Sequence, residues 1–139
     1  MSELTIRGHK VAGGKAEGEA LVTRDSISFM GGVDPKTGLI TEKGHELEGK
    51  NIAGKILVFP SEKGSTGGSY MIYDMAKRGT APKAFINVRA GSIVAVGAIM
   101  GNIPMLDRLE RNPIEAIRTG DQLAVDADAG TLRIIRRKS

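Results

Sequence analysis

KILVFPSEKGSTGGSYMIYDMAKRGTAPKAFINV, residues 55–88, opens and closes on short apolar runs, KILVF (Lys55 to Phe59) and AFINV (Ala84 to Val88). Strands buried on both faces carry runs of this kind. Between them Met71, Ile72, Met75 and Ala76 recur at helical intervals, Lys77-Arg78 suit a helix carboxyl end, and Gly79 fits the left-handed residue that stops it. Strand, helix, strand is a βαβ unit, whose two strands run parallel through a right-handed crossover.

The same grammar continues downstream. Ser92 is placed to cap IVAVGAIM, Gly101 to end it, and IPMLD (Ile103 to Asp107) to form the next strand. Asn112-Pro113 starts a short helical turn through Ile117, and DQLAVDADAGTLRII reads as two strands around a turn at Ala127 to Gly130. Upstream, EGEALVTR (Glu17 to Arg24) alternates as a strand. A long connection follows it, ISFMGGVDPKTGLITEKGHELEG, with turn signals at Gly31-Gly32 and Asp34-Pro35. Connections of that length in a small domain tend to carry function. The fold class is therefore α/β, a mixed sheet with βαβ crossovers and β-rich termini in a β/β/α arrangement. Residues 1–139 make one domain.

Composition narrows the function. With 40% hydrophobic and 26% charged residues the chain has ordinary soluble character, and it holds no apolar run of the roughly 18 residues that a membrane span needs. MSELTIRGHK lacks the pattern of a secretory signal, so a cytoplasmic location is expected. The absence of cysteine removes disulfides, thiol nucleophiles and thiolate metal ligands together. His9 and His45 lie far apart with no ligand spacing, which argues against a metal site on this chain. The net charge of +4 gathers in Arg133, Arg136, Arg137 and Lys138 as a basic tail, read as a solvated end. Aromatics are only 4% with no tryptophan, leaving few stacking platforms for nucleic acid. An anionic small molecule or an acidic partner surface fits the sign better.

Gly64-Ser65-Thr66-Gly67-Gly68-Ser69 falls at the carboxyl end of a parallel strand and the amino end of a helix. Open α/β sheets place ligands there. Unpaired N–H groups and the helix dipole favour a carboxylate or phosphate, and glycines let the backbone approach it. Lys63 adds a cation beside the loop. Ser and Thr also serve as helix caps, but one cap satisfies that need. No GK[ST] closes the loop, so it is not a P-loop.

Three stretches carry a family resemblance: GGKAEGEALV (Gly13 to Val22), SFMGGVDPKTG (Ser28 to Gly38) and IAGKILVFPSEKGSTGGSY (Ile52 to Tyr70), with AVGAIMGNIPML and TGDQLAVDADAG continuing it. In these the chain resembles the small, swivelling-domain subunit of the aconitase X family. The resemblance covers nearly the whole sequence. It implies a hydro-lyase of two chains, a heterodimer in which the large subunit carries an iron-sulfur cluster and this chain binds no cofactor. Archaeal members that look like this chain dehydrate (R)-mevalonate 5-phosphate to trans-anhydromevalonate 5-phosphate; bacterial members act on cis-3-hydroxy-L-proline. The resemblance assigns the general base to Ser65. It places Gly31, Gly32 and Asp34 near the substrate through GGVDP, while the loop's own position puts Lys63, Gly64, Thr66, Gly67, Gly68 and Ser69 there, with Thr66 and Ser69 as reserve hydroxyls and Ser69 also a cap within the first turn.

Two other readings compete. A phosphohistidine-carrying swivelling domain needs a histidine in the glycine-serine loop, and residues 64–69 have none. A stand-alone anion-binding module would bind its ligand without a partner chain.

Overall fold

The computed structural model describes residues 4–137, so Lys138 of the basic tail lies outside the described residues. The strands and helices run β1 (Leu4–Arg7), β2 (His9–Ala12), β3 (Lys15–Val22), β4 (Val33–Asp34), β5 (Leu39–Ile40), β6 (Ile56–Phe59), α1 (Gly68–Arg78), β7 (Ala84–Asn87), α2 (Ser92–Gly101), β8 (Met105–Asp107), α3 (Pro113–Ala116), β9 (Gln122–Asp126) and β10 (Thr131–Arg136). The main sheet has the order β1-β10-β9-β3-β6-β7-β8-β2, and β4 and β5 pair as a separate hairpin. Strands β3, β6, β7 and β8 are mutually parallel, as the βαβ pattern requires.

Strand β3 belongs to two halves of the sheet. Its first part, Lys15 to Glu19, pairs antiparallel with β9, and its last part, Ala20 to Val22, pairs parallel with β6. The sheet folds over at this strand. Ile6, Leu123, Val125, Leu132 and Ile134 from one half then close a core with Ala20, Ile56, Val58, Ala84, Ile86 and Leu106 from the other. On the opposite face, Leu57, Phe59, Phe85 and Met105 meet Ile72 and Met75 of α1, Val94 and Ala98 of α2, and Ile27, Phe29, Ile40 and Ile52 of the long connection. Three layers result, β/β/α, and the central strands are covered on both sides. That is why β6 is an unbroken run of hydrocarbon and β7 and β8 are apolar up to their last residues, Asn87 and Asp107.

Two local expectations need correction. The basic tail is only in part a solvated end: Arg133 and Arg136 are exposed but lie on β10, and the Arg137 guanidinium donates to Ala116 O at 2.9 Å and to the buried Asp121 carboxylate at 3.1 Å. The second helix is not capped by Ser92. Gly91 holds the cap position in extended conformation, Ser92 is already helical, and the cap comes from a distant carboxylate described below. By contrast, Asn112 does cap α3, accepting from Ile114 N at 3.0 Å. No helix among the described residues is long and apolar enough to cross a membrane.

The exit of β3 is tied to the long connection by one carboxylate. The Thr23 hydroxyl donates to Glu46 Oε1 at 2.6 Å and the Arg24 N–H donates to the same oxygen at 2.7 Å. The hydroxyl first, then the amide, hold the Glu46 carboxyl below its ordinary value of 4.5. A carboxyl that binds its proton less tightly when folded contributes stability in full above its unfolded value, and the contribution vanishes as pH falls through the folded one. Glu46→Gln is therefore expected to flatten the fall of urea midpoints between neutral pH and about pH 3, with its deficit largest at neutral pH.

Candidate active site

The loop between β6 and α1 is shaped from both ends. Ile27 N–H donates to Ser61 O at 3.2 Å and Lys63 N–H donates to Ile27 O at 3.0 Å, so residues 61–63 run alongside the long connection as a short parallel bridge. Gly64 then turns with φ +100, a conformation that side chains rarely tolerate, and a Cβ there would run into Ser28 Oγ. At the helix end, Ser65 O accepts from Gly68 N at 3.1 Å and Thr66 O from Ser69 N at 3.3 Å, which makes a tight first turn.

Ser65 sits on the crest of this loop. The residue is exposed, and its hydroxyl has no hydrogen-bond partner among the described residues. The main-chain N–H groups of Gly64, Ser65, Thr66 and Gly67 also donate to no acceptor among those residues. A run of unpaired amides leading into a helix is a cradle for negative charge. Around it, Ser28, Met30, Gly31, Gly32, Glu42, Lys63 and Gly64 line an open hollow of about 390 Å³. A larger one of about 430 Å³ lies on the outer face of β3, β9 and β10, where Lys15 and Asp126 pair at 3.9 Å, remote from the loop.

The expected site residues separate into two groups. Lys63, Gly64, Gly31 and Gly32 come together around the hollow, with Ser65, Thr66 and Gly67 on the loop beside it. Gly67 passes under Met30, whose sulfur would lie 3.2 Å from a Cβ at that position. Gly32 N–H donates to Ser28 O at 3.1 Å and Gly32 O accepts from Thr41 N at 3.0 Å, which holds the GGVDP turn against the loop. Gly68 and Ser69 face inward: Gly68 is buried under Ile93, and the Ser69 hydroxyl donates to Ile93 O at 2.7 Å, joining α1 to α2. Asp34 caps its own turn, its carboxylate accepting from Lys36 N at 2.9 Å. The Lys63 ammonium is paired with Glu42 at 2.6 Å, so its charge is balanced within the site.

Four residues that local patterns did not single out shape this end of the sheet. Glu62 reaches across to α2, and its carboxylate accepts from Ile93 N at 3.1 Å and Val94 N at 2.7 Å; a Cβ on Gly91 would collide with it. Ser28 fills the space beside Gly64. Asn87, fully buried at the end of β7, donates to Phe59 O at 3.0 Å, while its Oδ1 has no partner among the described residues. Asp107, buried at the end of β8, accepts from Ala90 N at 2.8 Å and meets His9 Nδ1 at 2.8 Å. The signal for Glu62 was available only in space, because a carboxylate thirty residues upstream does the work of an adjacent cap.

Both imidazoles are engaged in structure. His45 is buried, its Nε2 at 2.9 Å from Ser26 O and its Nδ1 accepting from Leu47 N at 2.9 Å, which puts the proton on Nε2. No group of three or more His, Asp or Glu side chains able to hold a metal ion occurs among the described residues.

Comparison with known proteins converges on one family. Residues 5–134 match the model of the aconitase X swivel domain. The phosphomevalonate dehydratase small subunit of Methanocella arvoryzae is 56% identical over 131 residues, covering 94% of this chain and 99% of that protein. The protein of the same name from Thermococcus kodakarensis is 49% identical over 132 residues, with 95% and 97% coverage. A crystal structure of Thermococcus kodakaraensis aconitase X in its holo-form superposes with a TM-score of 0.91 at 49% identity, covering 96% of this chain and 99% of the matched one.

Two substitutions probe the loop geometry. Glu62→Ala is expected to lower stability by about 1 to 2 kcal/mol through loss of both amide contacts, with Glu62→Gln intermediate, measured by urea unfolding. Gly64→Ala, forced into positive φ against Ser28, should cost about 1 to 3 kcal/mol in the same measurement.

Proposed function

The chain belongs to the aconitase X swivel-domain family, and we propose that it is the small subunit of a two-chain iron-sulfur hydro-lyase that dehydrates (R)-mevalonate 5-phosphate to trans-anhydromevalonate 5-phosphate. The relatives' name supports the substrate, and its words "small subunit" support a large partner subunit. The observation that carries the chemistry is the Ser65 hydroxyl, exposed and unpaired amid four unpaired amide N–H groups.

Elimination of water from a β-hydroxy acid requires removal of a proton from the carbon beside the carboxylate. A serine hydroxyl is a weak base until it is deprotonated, and main-chain amides pointed at its oxygen lower the cost of the alkoxide. After the serine's own proton has passed to solvent, the alkoxide takes the α-proton and returns to the neutral hydroxyl; the electron pair of that C–H bond forms the double bond and the β-hydroxyl leaves with a proton as water, while the same amides attract the substrate carboxylate. Gly64 and Gly67 keep this path clear of side chains. Met30, half exposed at 50%, supplies an apolar wall beside it.

The residues of this chain do not fit an iron-sulfur cluster, which is held by cysteine thiolates: the sequence has no cysteine, and both histidines are committed to internal contacts. We therefore assign the cluster to the large subunit. The substrate's second half is accordingly framed by the partner, and this chain closes over it from the Ser65 side.

Ser65→Ala in the reconstituted two-chain enzyme is expected to lower kcat by roughly 10²- to 10⁴-fold, with unchanged unfolding and unchanged co-elution of the subunits. Turnover near that of the parent enzyme would remove Ser65 from the mechanism. Assay of the pair on cis-3-hydroxy-L-proline as well as on mevalonate 5-phosphate checks the substrate.

A further inference from the structure

Each of the four parallel strands ends in a cation. Arg24 follows β3, Lys63 follows β6, Arg89 follows β7 and Arg108 follows β8. Three of these charges are answered from within the chain. Lys63 is bound to Glu42 at 2.6 Å. Arg108 stands 3.6 Å from the buried Asp107 carboxylate and 3.3 Å from His9 Nδ1, on a backbone at φ +47 that a non-glycine residue adopts only at a cost. Arg24 is placed beside the Glu46 carboxylate, which accepts its main-chain N–H at 2.7 Å.

Arg89 is different. It is exposed, and its guanidinium has neither a hydrogen bond nor an acidic partner among the described residues. Its main chain, however, is fixed: Val88 N and Arg89 N both donate to Pro60 O, at 3.1 and 3.2 Å, so the exit of β7 is tied to the first residue of the Ser65 loop. The following Ala90 N–H donates to Asp107, and Ile93 N and Val94 N donate to the Glu62 carboxylate, which a Cβ on Gly91 would meet. An anchored backbone thus carries a charge with no counter-ion at the ligand edge of the sheet. The guanidinium fork matches a phosphate in two-point contact, which an ammonium does not.

Taking the dehydratase reading as its basis, we infer that Arg89 grips the phosphate of the substrate, while the amide run at residues 64–67 receives the carboxylate end beside Ser65. Arg89 is a substrate-binding residue that selects the phosphorylated hydroxy acid over its unphosphorylated counterpart.

The test uses the reconstituted two-chain enzyme with Arg89→Ala and Arg89→Lys, assayed on mevalonate 5-phosphate and on mevalonate, with inorganic phosphate as competitor. Arg89→Ala is expected to raise KM for the phosphorylated substrate by roughly 10- to 100-fold with kcat within a few-fold. Arg89→Lys should fall between. The inhibition constant of inorganic phosphate should rise in parallel, and kcat/KM on mevalonate should differ by less than about twofold. An unchanged KM overturns the inference, as does an equal loss on both substrates, which would place the carboxylate on Arg89. Failure of the Arg89→Ala chain to co-elute with the large subunit would make Arg89 a subunit contact and equally overturn it. If the parent pair does not dehydrate mevalonate 5-phosphate at all, the dehydratase reading fails by itself. Calorimetric binding of inorganic phosphate to the parent pair, lost in Arg89→Ala, then decides the role of Arg89 separately.

Discussion

The loop between β6 and α1 and the long connection meet over three aromatic rings. Phe29, Phe59 and Phe85 are the only phenylalanines in the chain, and they meet edge to face with centroids 5.7 to 6.0 Å apart, each essentially buried. Phe59 and Phe85 are the last and second residues of neighbouring strands. Phe29 comes from the long connection, which bridges to the loop after β6 through Ile27 and Glu62 and adds no strand to the main sheet among the described residues. Edge-to-face aromatic contacts add directionality to the burial of area. The triad therefore works with the buried Ile27, Ile40 and Ile52 and the Glu46 contacts to seat the excursion at one height above the sheet, where Ser28 lies against Gly64 and Met30 over Gly67.

The charges around the loop follow from this placement. Because the excursion is seated there, Glu42 reaches Lys63 and neutralises it. Glu62, turned the other way, is consumed by the amides that open α2. Neither carboxylate beside the loop is left bare: Glu42 is matched to an ammonium and Glu62 to two main-chain N–H groups. What is left facing outward is the run of amides at residues 64–67 and the Arg89 guanidinium. The polarity of the edge is thus set less by the number of cations than by which of them are already satisfied.

Much of this was legible in the sequence because it is local. KILVF and AFINV announce strands covered on both faces, Gly79 ends α1 in the left-handed conformation at φ 81, and Asn112-Pro113 opens α3. The glycine-serine loop could be assigned to the carboxyl end of β6 from strand and helix order alone. The remainder is written across distance. Gly8 sends β1 to pair with β10 and β2 to pair with β8, and nothing in residues 4–12 names partners so remote. Ser92 satisfied the local rule for a cap, yet the extended residue before the helix is Gly91, and the amides are met by Glu62. The terminal arginines looked like a loose end because the buried acid that holds Arg137 lies at position 121. Lys63 and Arg89 look alike in sequence as cations near the site. Only the position of Glu42 distinguishes them.

The strand shared by the two half-sheets has a mechanical consequence. With β3 hydrogen-bonded to β9 along one stretch and to β6 along the next, the two β layers cannot slide or part without breaking both ladders and opening the core between them. Shear of one β layer past the other is closed off as an internal motion. The two β layers therefore travel as an undivided block, and any displacement that leaves both ladders intact is confined to the loops and helices around them.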